Sequence, residues 1–342
     1  MRRKARIWIR RCSMAKSINF IKNGHDSFID FIKAYAIICV LIGHTLPAHG
    51  IWGYSLWAGM QVPLFILIQV FHGYKQNNLN INFQRIIIRV LLPYLITQVI
   101  IFIVYNKVLL RGGVNLFNYF IMGGKGPGSY YPWIYIQIAI LIPLLSKSYK
   151  KNNNVLLIIF VIVCECLEIF CSIYKIPDGI YRLLAIRYFF LIYLGREWVD
   201  KGIIINKKMF LLSIISLCSI IYFSYFSFNN EPWFFNTAWR YHRWPCYYYV
   251  ANLLVLMLNL LWNKIKNIRL LCIIIKNLAS STYEIYLAQM AIIYLFKYNS
   301  LKFINNIYIQ YVIWFFIVWF ISLSMGIVTH KYVINRFIQH VH

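Results

Sequence analysis

Long apolar stretches, separated by short polar and basic segments, run along almost the whole chain. Each stretch holds about 20 residues, the length that an α-helix needs to cross the hydrocarbon core of a bilayer. The pattern predicts an all-α integral membrane protein with about ten transmembrane helices. The predicted spans are Phe28–Pro47, Ile51–Phe71, Phe83–Tyr105, Tyr131–Leu145, Val155–Tyr174, Ile180–Val199, Met209–Phe228, Trp244–Trp262, Ser280–Phe296 and Ile307–Thr329.

The basic residues between these stretches predict the orientation of the helices. An even number of spans places both termini on one side, and that side receives more than twice as many of the 35 Lys and Arg residues as the other. Positive residues accumulate on the cytoplasmic side of membrane proteins, so both termini are predicted to be cytoplasmic. The chain then divides into a basic N-terminal segment, 1–27, a membrane domain, 28–329, and a short tail, 330–342.

Composition and charge agree with a membrane protein. Hydrophobic residues make up 61% of the chain and charged residues 13%, against about 45–50% and about 25% in a soluble domain. The net charge of +26 would suit a nucleic-acid-binding protein. The charges, however, lie in short clusters between the spans, where membrane proteins keep their topological signals. No nucleic-acid partner is therefore predicted.

The first span contains the sharpest set of ionisable residues, which are costly inside a membrane and mark candidate functional positions. Asp30 and Lys33 lie one turn apart near its cytoplasmic end. His44 follows Lys33 by about 16 Å along a helix, close to three turns, so both project from nearly the same face. A histidine there can act as a general base on a hydroxyl. The alternative is an imidazole that reaches towards the outer membrane–water interface.

Two arginines, Arg85 and Arg89, open the third span. Their i, i+4 spacing places them on one helix face, and guanidinium groups match the geometry of phosphate. The pair is therefore a candidate site for a phosphate-bearing ligand. Ordinary anchoring at the cytoplasmic boundary is the alternative.

The ninth span holds a polar cluster made of Ser281, Glu284 and Gln289. A glutamate inside a span must pair with a base or with hydrogen-bond donors. These residues are therefore predicted to form a structural pair or to line a polar cavity. Glu165 and Glu168 form a similar pair in the fifth span, to which the pattern gives no role.

The predicted outer loops are rich in aromatic residues. Trp239 and His242 lie in the loop from Asn229 to Arg243. Aromatic rings stack well on sugars, but Trp and Tyr also form the interfacial belt of membrane proteins, and both interpretations stay open. The glycines from Gly123 to Gly128 lack the Lys-Ser/Thr of a P-loop, which favours a turn. No metal site is predicted.

In their order along the chain, these residues resemble the signature of the acyltransferase-3 family of integral membrane acyltransferases. The family's ten-helix core covers nearly the whole chain. Three residues separate the two arginines, where the family's usual pattern has two, and Gln289 stands where many members have histidine. The resemblance rests on Asp30-Phe-Ile-Lys33 with His44, Met60-Gln-Val-Pro-Leu-Phe65, Arg85 and Arg89 before Leu91-Leu-Pro93-Tyr94, Tyr130-Tyr-Pro-Trp133, and Ser281 to Gln289.

The resemblance implies an O-acyltransferase in the membrane. It would transfer an acyl group, usually acetyl, from cytoplasmic acyl-coenzyme A to a hydroxyl of a cell-surface or lipid-linked glycan. Acyl-CoA is then the donor substrate, and no permanently bound cofactor is expected. The implied roles are His44 as catalytic base or acyl relay, Lys33, Arg85 and Arg89 in donor binding, Asp30, Glu284, Ser281 and Gln289 in support, and Trp133, Trp239 and His242 on the acceptor side.

A transporter or flippase of a lipid-linked sugar or polysaccharide is the alternative function. Transporters commonly show internal repeats, and the sequence contains no convincing one. A glycan polymerase is disfavoured because the outer loops have only about 15–25 residues. Dependence on His44 separates a transferase from a flippase. The Ile-, Lys- and Asn-rich composition suggests an AT-rich bacterial genome, and hence a multi-pass protein of the bacterial cytoplasmic membrane.

Overall fold

The structure is a computed structural model that describes residues 17–18, 26–46, 53–75, 83–109, 123–148, 153–204, 207–229, 242–296, 304 and 306–334. Within these residues the regular secondary structure is helical apart from one short antiparallel ladder, in which β1 (Ser17–Ile18) pairs with β2 (Ile203–Ile204). The predicted all-α class is confirmed.

Eleven main helices build the described part of the fold. They are α1 (Ser27–Thr45), α2 (Gln61–Lys75), α3 (Leu92–Leu109), α4 (Tyr131–Ser148), α5 (Asn153–Ile173), α6 (Phe189–Lys201), α7 (Lys207–Asn229), α8 (Val255–Ile265), α9 (Arg269–Ser280), α10 (Thr282–Phe296) and α11 (Ile307–Thr329).

Short helical segments extend several of them. Helix α2 is preceded by the 3-10 turns Tyr54–Leu56 and Ala58–Met60, and α3 by Phe83–Ile86 and the π-helical Ile87–Leu91. Helix α6 is preceded by Asp178–Tyr181 and the 3-10 turn Ala185–Tyr188, and α8 by the 3-10 turn Trp244–Cys246 and the π-helical Tyr249–Leu254. Helix α11 is followed by the π-helical His330–Ile334.

Helix α1 has clear signals at both ends. The Asp26 carboxylate accepts a hydrogen bond from the Phe28 backbone N–H at 3.0 Å, which satisfies one of the free donors of the first turn. Leu46 has extended backbone angles (φ −102°, ψ 148°). Pro47 follows it, and a residue before proline is pushed out of the helical region. These signals place His44 in the last turn of α1.

Among the residues that the structure describes, six helical segments are long and apolar enough to cross a membrane. They are Ser27–Thr45, Ile87–Val104, Val155–Ile173, Lys207–Tyr225, Trp244–Ile265 and Ile307–Tyr332. Helices α9 and α10 are bent by 69° relative to each other and make a seventh span if they cross as one. These segments confirm a multi-pass membrane protein. The count of ten spans and the cytoplasmic position of both termini stay predictions.

Two predicted spans are interrupted. In the predicted second span, Trp57 has non-helical backbone angles (φ −128°, ψ −60°), and the helix begins only at α2, which has 15 residues. In the predicted sixth span, Leu184 is extended. The Gln137 side chain from α4 satisfies the broken backbone there, because it donates to the Leu183 carbonyl at 2.5 Å and accepts from the Ala185 N–H at 3.1 Å.

Helices α1 and α2 form the centre of the fold. Helix α1 packs against α2, α8, α9, α10 and α11, and α2 packs against α4 and α6. Leu64, Leu67 and Val70 of α2 are fully buried. The outer helices α3, α5, α7 and α11 instead expose large apolar side chains that suit lipid. Examples are Ile96, Ile158, Ile215 and Phe320.

Candidate active site

His44 and Gln289 meet between α1 and α10, although 245 positions separate them in sequence. The His44 Nδ1 atom lies 3.1 Å from Gln289 Oε1, with the imidazole partly buried and Gln289 fully buried. An amide oxygen can only accept, so Nδ1 carries the proton and donates it. The other ring nitrogen, Nε2, is then unprotonated and can accept a proton from a substrate. This is the arrangement that a general base requires.

The residue before the histidine is held by close neighbours. A Cβ atom on Gly43 would overlap the Tyr54 hydroxyl and would lie 3.6 Å from Gln61 Nε2. Tyr54 and Gln61 are themselves buried. The 3-10 turn Tyr54–Leu56 and the first residue of α2 therefore bring two further polar side chains to the end of α1 that carries His44.

The glycine-rich loop before α4 is clamped beside α10. Gln98 of α3 donates to the Lys125 carbonyl and accepts from the Lys125 N–H, both at 3.0 Å. Tyr286 of α10 donates to the Gly128 carbonyl. Positive φ angles between 76° and 102°, which favour glycine, occur at Gly123, Gly124, Gly126 and Gly128. The predicted turn is confirmed.

An aromatic wall, formed by Tyr131 of α4 with Tyr283 and Tyr286 of α10, lies beside this loop. Tyr131 of α4 packs edge-on against Tyr286 with ring centroids 5.7 Å apart, and Tyr283 stacks on Tyr286 at 6.2 Å. Trp133, a predicted acceptor-side residue, packs edge-on against Tyr94 at 6.4 Å. The structure thus places Trp133 on the α3–α4 side of the aromatic wall. Tyr286, in this wall, lies one turn before Gln289 on α10.

Asp30 and Lys33 lie in the first half of α1, away from His44. Asp30 is buried and Lys33 is partly buried. Asp30 lies one turn before Lys33 on the same helix, and its carboxylate acts electrostatically on the Lys33 ammonium. A partly buried cation is costly in a membrane, and Asp30 is the acidic residue that offsets this charge.

The two predicted donor-site arginines lie on consecutive helical segments. Arg85 is in Phe83–Ile86, and Arg89 is in the π-helical stretch Ile87–Leu91, where it is partly buried. The Tyr283 hydroxyl donates to the Val90 carbonyl at 2.8 Å and ties this stretch to α10. A π-helical turn holds more residues than an α-helical turn. Because the π-helical stretch begins between Arg85 and Arg89, the pair does not have the simple i, i+4 geometry that the sequence predicts.

Glu284 and Ser281 fill structural positions at the start of α10. Glu284 pairs with His330, which follows α11, at 3.1 Å, and the sequence pattern did not identify this partner. Ser281 is buried and donates to the Asn277 carbonyl. A metal ion would need more ligands than Glu284 and His330. In the described part of the chain, no group of three or more His, Cys, Asp or Glu residues is placed to hold one.

His242, the other described acceptor-side residue, is buried beside the 3-10 turn that precedes α2. Its Nε2 donates to the Gly59 carbonyl at 2.6 Å. Burial, together with the positive charge of Arg187, lowers the pKa of His242 to about 3. The imidazole is therefore neutral at physiological pH. Trp239, the third predicted acceptor-side residue, lies outside the described residues.

A buried polar cluster that the sequence did not predict lies next to His242. Glu168 of α5 pairs with Arg243 at 3.1 Å, with both side chains about 95% buried, and also accepts from the Tyr181 hydroxyl. Glu165 accepts from the Trp244 indole N–H. The two glutamates without a predicted role thus fasten the start of the eighth predicted span to α5. Arg187 is fully buried nearby, against the ring of Tyr188 at 4.5 Å.

Comparison with known proteins agrees with this geometry. A family model described as an acyltransferase domain matches residues 26–331, which is most of the chain. No curated protein and no solved structure matches it. The match includes α1 to α11 and both partners of the His44–Gln289 pair. This multi-pass membrane protein therefore belongs to the acyltransferase-3 family, which makes it an acyltransferase.

Proposed function

We propose that the protein transfers an acyl group, acetyl in the simplest case, from cytoplasmic acyl-CoA to a hydroxyl of a cell-surface or lipid-linked glycan. The observation that carries the proposal is the hydrogen bond from His44 Nδ1 to Gln289 Oε1. It fixes the ring and leaves Nε2 as a base inside an acyltransferase domain.

The reaction needs one base at the point of attack. His44 Nε2 removes the proton from the acceptor hydroxyl, whose oxygen attacks the carbonyl carbon of the thioester. The new C–O bond forms and the C–S bond breaks. The departing thiolate takes the proton from the imidazolium, so His44 returns to its neutral form. General base catalysis of this kind contributes about 10²–10⁴ in rate.

Basic residues support binding of the donor. Lys33, Arg85 and Arg89 lie towards the end of the protein that the Lys and Arg distribution assigns to the cytoplasm. Coenzyme A carries phosphates, which arginine recognises in a bidentate manner and lysine as a point charge. Asp30 would hold Lys33 in the donor path. His44 lies about 16 Å from Lys33 along α1, and so lies towards the outer end of this helix.

The proposed setting is the bacterial cytoplasmic membrane, with ten spans and both termini in the cytoplasm. In this orientation the donor reaches the protein from the side where acyl-CoA is made. The acceptor approaches His44 from the outer side, past Trp133 and the aromatic wall. The buried, neutral His242 supports this outer end rather than reacting.

Mass spectrometry of the cell-surface glycans tests the function. The strains are the wild type, a deletion, and the deletion complemented with wild-type, His44→Ala or His72→Gln protein. His72, a partly buried histidine on α2, is the matched control. We expect an acyl-sized mass to be lost in the deletion and in His44→Ala, because no base remains, and to be restored by His72→Gln. The amount of polymer should not change.

A different pattern would support the alternative. If polymer export falls in the deletion while His44→Ala behaves as wild type, the protein is a transporter or flippase and His44 is not catalytic. Immunoblots of membrane fractions are the control for whether each variant is present in equal amount.

A further inference from the structure

We propose that Gln289 is itself a catalytic residue, whose side-chain N–H groups bind the carbonyl oxygen of the acyl group while that oxygen becomes negative. The inference rests on the proposed acyl transfer and adds a second role to Gln289, beyond fixing the His44 ring. In this second role the Gln289 amide N–H groups stabilise the negative charge that forms on the acyl carbonyl oxygen.

The amide nitrogen of Gln289 is the primary observation. Gln289 is 0% exposed, yet its Nε2 has no hydrogen-bond partner in the described part of the chain. Its Oε1 is committed to His44 at 3.1 Å, so the orientation of the amide is fixed. A buried N–H without a partner has lost its bond to water and gained none in return, which is costly. Native proteins rarely keep such a group unless a ligand or water completes it.

A second unsatisfied amide lies near the same end of α1. Gln61 is 7% exposed, and its Oε1 has no partner within the described residues. Its Nε2 lies 3.6 Å from where a Cβ on Gly43 would be. The end of α1 is therefore flanked by a free donor on Gln289 and a free acceptor on Gln61. A carbonyl oxygen and a hydroxyl, the two groups that acyl transfer brings together, complement this pair.

The chemistry requires a donor of this kind. When the acceptor oxygen attacks, the electron pair of the C=O bond moves onto the carbonyl oxygen, which then holds a full negative charge until the C–S bond breaks. A fixed N–H group binds this oxyanion more strongly than the neutral carbonyl, so it accelerates the reaction. The loss of one such donor lowers kcat by about 10²–10³ in other acyl-transfer enzymes.

Three substitutions separate the two roles of Gln289. Gln289→Glu keeps an oxygen that can accept from His44 Nδ1 but has no N–H donor. Gln289→His offers one acceptor nitrogen and one N–H, and so keeps both roles. Gln289→Met keeps the approximate size and removes both. Gln310→Glu on α11, which also loses an amide that donates to a backbone carbonyl, is the matched control.

The assay uses the purified full-length chain in lipid nanodiscs, with radiolabelled acetyl-CoA and membranes of the deletion strain as acceptor. We expect Gln289→Glu to lower kcat by about 10²–10³, with the KM for acetyl-CoA within about threefold of wild type. Gln289→His should stay within about tenfold of wild type, and Gln310→Glu should be unchanged. A Gln289→Glu enzyme with wild-type kcat would overturn the inference. An inactive wild-type enzyme would instead overturn the proposed function.

A second measurement covers the case in which the buried carboxylate of Gln289→Glu prevents folding. A ketone analogue of acetyl-CoA, with CH₂ in place of sulfur, binds without transferring its acyl group. Its ¹³C-labelled carbonyl is observed by infrared difference spectroscopy. We expect a lower C=O stretching frequency on the wild-type protein than on the neutral Gln289→Met variant. Equal frequencies on the two proteins would show that Nε2 does not bind the carbonyl, and would reject the inference.

Discussion

We expect Glu168→Leu to lower the free energy of unfolding by about 3–5 kcal/mol. Glu168 and Arg243 form an ion pair at 3.1 Å with side chains only 5% and 4% exposed. Removal of the carboxylate leaves the arginine charge buried without its counter-ion, and the Tyr181 hydroxyl loses its acceptor as well. Thermal or denaturant unfolding of the purified protein in detergent measures the change.

Two controls identify the buried charge as the cause. The double variant Glu168→Leu/Arg243→Met removes both charges, so it should be less destabilised than Glu168→Leu alone. Asp178→Asn removes one partner of the exposed Arg182–Asp178 pair in the neighbouring segment. Such pairs contribute only about 0–1 kcal/mol. If the double variant is the least stable of the three, the ion pair is not what holds this cluster together.

The Glu168–Arg243 pair is connected to the centre of the fold through His242. Arg243 follows His242, which bonds to the Gly59 carbonyl just before α2. The pair thus holds α5 against the start of the eighth predicted span, and His242 connects that point to the centre of the fold. Loss of the pair should therefore reduce acyl transfer in proportion to the loss of folded protein, without a specific change in KM.

Hydropathy predicted the spans that face lipid, because lipid selects a continuous apolar surface. The segments Ser27–Thr45, Val155–Ile173 and Ile307–Tyr332 agree with prediction to within a few residues. It could not predict the break at Leu184, because the broken backbone is satisfied by Gln137 from another helix. It also did not predict α9, which packs against α1 and is bent by 69° from α10.

The candidate site was predictable only in part, for a similar reason. The helical spacing within the first span was enough to single out Lys33 and His44. The partner of His44 was not predictable from spacing, because Gln289 lies 245 positions away and meets it only when α1 packs on α10. The same holds for Glu284, whose partner His330 comes from the end of α11. The paired arginines were visible in the sequence, but the π-helical stretch that contains Arg89 was not.

The contact between α10 and α11 includes a close approach at Gly326. A Cβ atom on Gly326 would lie 2.6 Å from the backbone nitrogen of Ile285 and 2.7 Å from its Cα. These are backbone atoms, which cannot turn away as a flexible side chain can. Small residues of this kind allow membrane helices to approach closely. Because Gln289 follows Ile285 by one turn, the glycine also sets the position of the amide that holds His44.

Gly326→Val is therefore expected to lower the free energy of unfolding by about 2–3 kcal/mol, since α11 must move away from α10. Acyl transfer by the fraction that stays folded should fall as well, because Gln289 moves with Ile285 and its bond to His44 lengthens. Gly179→Ala is the control, as a Cβ there meets nothing within 4 Å, and it should leave stability and activity unchanged. Unfolding curves together with transfer rates per folded molecule measure both effects. A Gly326→Val protein with wild-type stability would show that the two helices do not pack at this glycine. Wild-type transfer by a destabilised Gly326→Val protein would instead show that the geometry of the His44–Gln289 pair does not limit the reaction.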